Sequence, residues 1–248
     1  MIVASMAVMS SRVENLNMIL SSLERQTRPP DKVLLYYSVE SWHLDQGMPF
    51  LSIPKIKLNI EVIKVPNIGS CRKYLFSLER YRDTNNLILL LDDDLVWGSS
   101  VVENLFNNYK KFKCAVTTRG WSKFDILETE RGKILSRNNK EDTIVGDKIN
   151  KPIEVMVASS GWATMFSAED VNKKIFNQDI QFHVSLGYSD EVFLSAMLLP
   201  KKMVIPMEEG FYKILPKLSA LFNAPETSLA RALQMELLLK MNNFNNET

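Results

Sequence analysis

The sequence predicts an α/β protein built on a mostly parallel central sheet with helices on its faces. Three observations carry that expectation. Apolar strand-like segments alternate with helix-periodic ones through residues 2–91, the pattern of crossover units and parallel strands. The run "LILLL" (87–91) has no polar interruption, as expected of a strand buried on both faces. It opens directly into Asp92, Asp93 and Asp94, at the C-terminal strand edge where such sheets bind ligands.

The elements follow in order. Ile2–Val8 reads as the first strand. Ser10 or Ser11 caps a helix over 13–25, with Val13, Leu16, Ile19, Leu20 and Leu23 on one face. "RPPDK" stops it, and "KVLLYYS" (32–38) is the second strand. A loop punctuated by prolines spans 39–57, and "NIEVIKV" (59–65) is the third strand. The glycine turn in "NIGS" opens a helix over 69–81, and the fourth strand leads into the aspartates. Residues 101–112 read as a helix and "CAVTT" (114–118) as a strand. Residues 119–152 are too long and too hydrophilic for a simple connection, so they read as an excursion carrying a hairpin or a mobile segment. "IEVMVASSGWATMF" (153–166) returns to the core. "SAEDVNKKIF" follows as a capped helix, then a helix over 189–199 with Ser189 as N-cap, and the short strand "KMVIP". A further helix and an Asn-rich tail occupy 225–248, the tail expected to be disordered. The division is thus one domain over 1–224, with a ligand-binding half (1–118) and a second half (119–224), followed by the C-terminal segment.

Bulk properties narrow the function classes. Formal net charge is +1, so no global field argues for nucleic acid. Cys71 and Cys114 are too few for a disulfide framework, which fits a reducing compartment. The opening "MIVASMAVMSSR" lacks the basic start and apolar length of a signal peptide. No run approaches the roughly 20 apolar residues of a membrane span. The expectation is a cytoplasmic protein, compatible with peripheral association at a membrane.

The acidic triplet carries the chemistry. Hard oxygen ligands suit Mg²⁺ or Mn²⁺, which share one or two carboxylates with a substrate's phosphates. Asp94 holds the metal in this reading, while Asp92 or Asp93 touches a sugar or nucleotide. "GSCRKY" supplies the counterpart, with backbone N–H groups near Gly69 and the cations Arg72 and Lys73 set against a diphosphate. Asp190 and Glu191 open a helix, where the dipole favours acidic residues on structural grounds alone. Either also suits a general base taking a proton from a hydroxyl. Gly161 and Trp162 offer permissive backbone and a large ring, for a sugar or for the core. His43 and His183 are isolated, and neither is spaced for a metal pair.

Together these pieces resemble nucleotide-sugar-dependent glycosyltransferases of the GT-A fold. "MAVMSSRVENLNMILSSLERQTRPPDKVLL" is similar to that family's opening strand, helix and second strand. "NIGSCRKYLFSLERYRDTNNLILLLDDDLVW" resembles the approach to its DxD motif, and "GYSDEVFLSAMLLPKKMVIP" its late acidic motif. The resemblance implies transfer of a sugar from a UDP- or GDP-type donor to a hydroxyl of a glycan or other acceptor, with inversion. It implies Mn²⁺ or Mg²⁺ on Asp94 and Asp92, and Glu191 or Asp190 as base. It implies substrate contacts from Arg12, Gly69, Arg72, Lys73, Asp92, Asp93, Gly161 and Trp162. Three features depart from the family. "YYS" ends the second strand where relatives carry an Asp pair that holds the base, the late motif ends in Glu191 where Asp is usual, and no histidine follows His183.

Two other classes compete. Asp92 and Asp94 also match the nucleophile motif of haloacid-dehalogenase-type phosphatases, which carry it on the opening strand. A nucleotide-sugar-binding module without catalysis would keep the fold and lose the base.

Overall fold

The computed structural model describes residues 1–42, 44–122, 125–129, 132–136, 142–177, 190–199 and 201–215. His43, His183, the Ser189 cap, the 224/225 boundary and the C-terminal helix and tail lie outside the described residues.

Strands β1 (Ile2–Ala7), β2 (Lys32–Tyr37), β3 (Ile60–Lys64) and β4 (Leu87–Leu91) pair in parallel in the order β3-β2-β1-β4. Beyond β4 the eight-stranded sheet continues with β13 (Thr164–Ser167), β6 (Ala115–Thr117), β14 (Lys202–Val204) and β11 (Ile153–Glu154). β13 runs antiparallel to both β4 and β6, and β14 runs parallel to β6. Strand order reverses between β1 and β4. Their C-terminal ends therefore flank a switch point, the crevice where open α/β sheets bind ligands.

Alternation along the strands sorts the core into two layers. Ile2, Ala4 and Met6, with Leu87, Leu89 and Leu91, face α1 (Leu16–Glu24) and α3 (Val101–Phe112). Val3, Leu34, Tyr36, Ile88 and Leu90 face α2 (Arg72–Tyr81) and α4 (Glu191–Met197). Successive side chains of a strand point to opposite faces, so an apolar run without interruption is what a sheet covered on both sides demands. Core truncations such as Leu89→Ala carry the usual cost of about 2–5 kcal/mol.

Smaller ladders stand beside this sheet. β7 (Arg119–Trp121) is central in a three-stranded sheet, between β10 (Thr143–Val145) and β12 (Val157–Ala158). The Ser122 N–H donates to the Asp142 carbonyl at 3.1 Å, closing the stem of the polar excursion. Within it β8 (Asp125–Thr129) and β9 (Gly132–Ser136) pair antiparallel, so the excursion carries a hairpin. β5 (Leu95–Trp97) pairs with β15 (Tyr212–Ile214), and the Leu215 N–H reaches the Asp94 carbonyl at 2.8 Å.

Two expected helices differ. The first begins late, because residues 10–15 wind as a 3-10 turn before α1. Ser10 does not cap it; its hydroxyl bonds the Asp45 carboxylate instead, at 3.0 Å. "SAEDVNKKIF" forms two 3-10 turns, Ala168–Asp170 and Lys173–Phe176. Ser167 and Asp170 make a reciprocal capping box, but the turn cannot lengthen. Val171 bridges Leu198, and the Asn172 N–H bonds the Met197 carbonyl at 2.7 Å.

Candidate active site

The chain leaving β1 and the chain leaving β4 are stitched together at the switch point. The Met9 N–H donates to Asp93 Oδ2 at 2.8 Å. Arg12 Nη1 sits 2.6 Å from Asp93 Oδ1 and 3.1 Å from Asp94 Oδ2. Arg12, Asp93 and Asp94 are all buried. Burial pushes the Asp93 carboxyl up, against the downward pull of Arg12 and the Met9 N–H. Burial also presses on Arg12 to lose its charge, and Asp93 and Asp94 more than offset it. The sequence placed Arg12 and Asp93 against substrate and Asp94 against metal. In the structure Arg12 pairs with both aspartates.

Asp92 is the open member of the triplet. Its side chain keeps 36% of its surface, against 4% for Asp93 and Asp94. Its N–H donates to the Gly161 carbonyl at 3.0 Å, and its carboxylate lies directly over Gly161. A Cβ on Gly161 would fall 1.9 Å from Asp92 Cγ, so only glycine permits this approach. The turn containing it ends at Ala163, whose φ of 51° is left-handed, a conformation costing a non-glycine residue about 1–2 kcal/mol. Such strain collects at functional sites.

Lys73 joins the triplet to the late acidic motif. Its Nζ lies 2.7 Å from Asp92 Oδ1 and 2.7 Å from Asp190 Oδ2. The Ser160 hydroxyl donates to the same Asp190 oxygen at 2.7 Å. α2 brings Lys73 here because the Ser5 hydroxyl, on β1, bonds the Lys73 carbonyl and also meets Ser77 Oγ at 2.8 Å. Burial works against the lysine's charge, yet Asp190 and Asp92 hold its pKa above the ordinary value. Burial raises the Asp190 carboxyl, and Lys73 and Ser160 more than reverse this, leaving it below the usual range. Asp190 takes the N-cap position of α4, and Glu191 is the helix's first residue, half-buried. Lys73, expected to set positive charge against a diphosphate, is in this structure a buried bridge between two carboxylates.

Arg72, the other cation expected against a diphosphate, is buried. One Nη contacts Ser38 Oγ (3.1 Å) and Asn67 Oδ1 (2.8 Å); the other contacts the Val8 carbonyl (2.8 Å) and Asp45 Oδ2 (2.8 Å). Asp45 also accepts from the Ser10 and Gly47 N–H groups. Burial raises the Asp45 carboxyl, but the Ser10 N–H and Arg72 win and hold it below its ordinary value. Gly69 has φ of +66° with the Trp42 ring against it, so its glycine supports the turn. At the end of β2, Ser38 thus meets Arg72, and the carboxylate that pairs with Arg72 comes from Asp45 in the loop. Nothing local in "SWHLDQG" signals that role.

Trp162, half-buried, stands beside the site with its ring edge-on to Tyr212, centroids 4.6 Å apart. The Arg119 guanidinium lies over the Trp162 ring, 4.4 Å from its centroid. Arg119 and Tyr212 were not among the residues the sequence singled out.

A divalent ion fits this donor set only as a shared one. Among the described residues no three His, Cys, Asp or Glu side chains are grouped to hold an ion by themselves. Mg²⁺ and Mn²⁺ sites commonly use one or two carboxylates plus substrate phosphates. Asp92, Asp93, Asp94 and Asp190 bring four formal negative charges, against two positive from Arg12 and Lys73. One divalent cation would balance that surplus, and Asp92 is the carboxylate open to it.

Neither a family model nor a curated protein matches the chain. Among solved structures it is similar to S. aureus TarS 1–349 in complex with UDP-GlcNAc, with a TM-score of 0.58 at 11% identity, over 97% of this chain and 66% of that one. The chain thus spans about two thirds of that length. The TarS structure with UDP follows at 0.46 and 9% identity, over 87% and 60%. The 4-diphosphocytidyl-2C-methyl-D-erythritol synthase of Anaerococcus prevotii gives 0.40 and 13%, over 68% and 70%. No helix among the described residues is long and apolar enough to cross a membrane. At such identities the first of these likenesses concerns architecture, and with the strand order above it gives the chain a Rossmann-like fold of the GT-A type.

Proposed function

We propose that the protein transfers a sugar from a nucleoside diphosphate donor to a hydroxyl of a glycan or other acceptor, with inversion. The observation that supports this reading is the Lys73 bridge, which joins Asp92 of the triplet to Asp190 of the late acidic motif at the switch point. The fold it shares with TarS 1–349, solved with UDP-GlcNAc, supports a donor of that class.

Each residue then has a task. Asp190 is saturated by Lys73 and Ser160 and stays ionised, which makes it a weak proton acceptor and a good anchor. Its neighbour Glu191 is the base. The acceptor O–H gives its proton to the Glu191 carboxylate as the oxygen attacks the sugar's anomeric carbon. The bond from that carbon to the diphosphate oxygen breaks, and its electron pair leaves with the diphosphate. Lys73 fixes Asp92 against Gly161, holding one carboxylate at the donor side in a single orientation. Arg12 keeps Asp93 and Asp94 together and ties the two loops that frame the donor. Asp92 and Asp94 would hold Mn²⁺ or Mg²⁺, an ion that supplies positive charge against the leaving diphosphate.

A ligand panel tests the reading. Thermal shift and saturation-transfer NMR with UDP, GDP and their sugars, with and without Mn²⁺, should single out one nucleotide and show weaker binding in EDTA. The ¹H NMR spectrum of the product should show the opposite anomeric configuration from the donor. Retained configuration, or no affinity for any nucleoside diphosphate, overturns it.

A further inference from the structure

The cations around the crevice divide into two kinds. Arg12, Arg72 and Lys73 are buried and ion-paired with carboxylates of the same chain. Arg119 is not. Among the described residues no carboxylate lies within ion-pair distance of its guanidinium; its Nε, like those of Arg12 and Arg72, is buried without a hydrogen-bond partner. It is half-buried, and its packing comes from a ring: Trp162 beneath the guanidinium, with Tyr212 edge-on behind. Stacking occupies the flat face of a guanidinium. With Nε buried, the edge that remains is Nη1–Nη2, a pair of parallel N–H donors that matches a carboxylate or phosphate. A charged group left half out of water without an anion gains most when a ligand brings one.

Its place in the fold says which part of the reaction it serves. The Ser159 N–H donates to the Arg119 carbonyl at 3.0 Å. The next two residues of that turn are Ser160, on Asp190, and Gly161, under Asp92. Trp162 closes the turn, its N–H bonded to the Ser159 carbonyl at 3.0 Å, and carries its ring to β15. Arg119 thus stands across the turn from the donor-side carboxylates, beside the element that holds the late acidic motif.

We infer that Arg119, backed by Trp162 and Tyr212, binds a negatively charged group of the acceptor, so that the acceptor is an acidic glycan carrying a carboxylate or a phosphate. This rests on the glycosyl-transfer reading above and adds the acceptor's chemical class to it.

The test uses the full chain, with Arg119→Gln and Arg119→Lys. Saturation-transfer NMR measures binding of methyl glucuronoside, glucose 6-phosphate, methyl glucoside and UDP, and melting temperatures confirm that the variants fold. The wild type should prefer an anionic probe to the neutral glucoside, and the stronger of the two names carboxylate or phosphate as the anion. Arg119→Gln should weaken that probe about tenfold or more, from the value of a charged hydrogen bond, while UDP and the glucoside change less than about twofold. Arg119→Lys keeps charge and stem but loses the fork, so its loss should fall between. Equal wild-type affinity for anionic and neutral probes overturns the inference alone. So does a loss of UDP affinity in step with the anionic probe, which would make Arg119 a donor clamp. Failure of the wild type to bind any nucleoside diphosphate removes the glycosyl-transfer reading, and this acceptor assignment with it.

Discussion

Arg72 and Lys73 are consecutive, both buried and both ion-paired, yet they belong to different parts of the molecule. Arg72 looks towards the loop 39–57: among its partners Ser38, Asn67, Asp45 and the Val8 carbonyl, the one anion, Asp45, is 4% exposed. Lys73 looks into the crevice, and its partner Asp92 has a side chain 36% exposed. A buried cation among buried anions fixes a backbone path. The same cation with one partner at a solvent-facing wall orients a group that a ligand can touch. Burial of the cation does not separate the two cases; exposure of its anion does.

The comparison is broken most sharply on the side of chemistry. Glu191→Gln should cut transfer by about 10²–10⁴-fold and leave donor affinity and melting temperature unchanged. Matched loss of melting temperature would place Glu191 with the structural set. Arg72→Met strands the Asp45 charge and should cost about 3–5 kcal/mol of stability. Combining it with Asp45→Leu should recover most of that loss, since removing both members of a buried pair is tolerated far better than removing one. Urea unfolding measures both variants, and an additive double variant would dissolve the pairing argument. Gly161→Ala sharpens the Lys73 side. A methyl 1.9 Å from Asp92 Cγ must displace that carboxylate, so nucleotide affinity should fall by about tenfold, from one strong contact misplaced. Its melting temperature should fall much less than that of Arg72→Met.

The smallest effect concerns acid. Asp45 and Asp190 both have folded pKa values below the ordinary carboxylate range, because the Ser10 N–H and Arg72, or Lys73 and Ser160, outweigh burial. A depressed folded value adds stability that is fully present above the unfolded value of about 3.9. That stability is lost as pH falls through the folded value. Stability should therefore decline below about pH 4, and Asp45→Asn should flatten the decline while lowering the plateau. An unchanged acid limb in that variant would mean that the Asp45 carboxyl titrates normally.

Much of the frame was legible in the sequence because it follows from local pattern. The four parallel strands announce themselves by apolar runs, and the position of Asp92–Asp94 at the mouth of β4 comes from order alone. The helix expected over 167–176 failed for a tertiary reason: Val171 and Asn172 are held by Met197 and Leu198, so local capping chemistry lost to a strand-like contact. The candidate residues could be picked out one by one in the sequence, but their pairing could not. Lys73 and Asp190 are adjacent in space and 117 positions apart in the sequence. Asp45 sits in a loop with no periodicity, and its partners Ser10 and Arg72 lie 35 and 27 positions away. Arg119 meets Trp162 only because Ser159 folds back on its carbonyl. Spacing reports what one helix or strand brings together, and these contacts join different elements.

The closed stem of the polar excursion bears on how such a protein diversifies. β7 is the middle strand of its small sheet, so the chain leaves that sheet at Ser122 and re-enters it at Asp142 beside its point of departure. A segment whose two ends are already fastened together transmits little of its length to the rest of the chain, and doubling such a loop costs only about 0.6 kcal/mol. The stretch between those residues is thus a cassette. Exchanging it for a longer, shorter or differently charged one should leave Arg119, at the start of β7, in position.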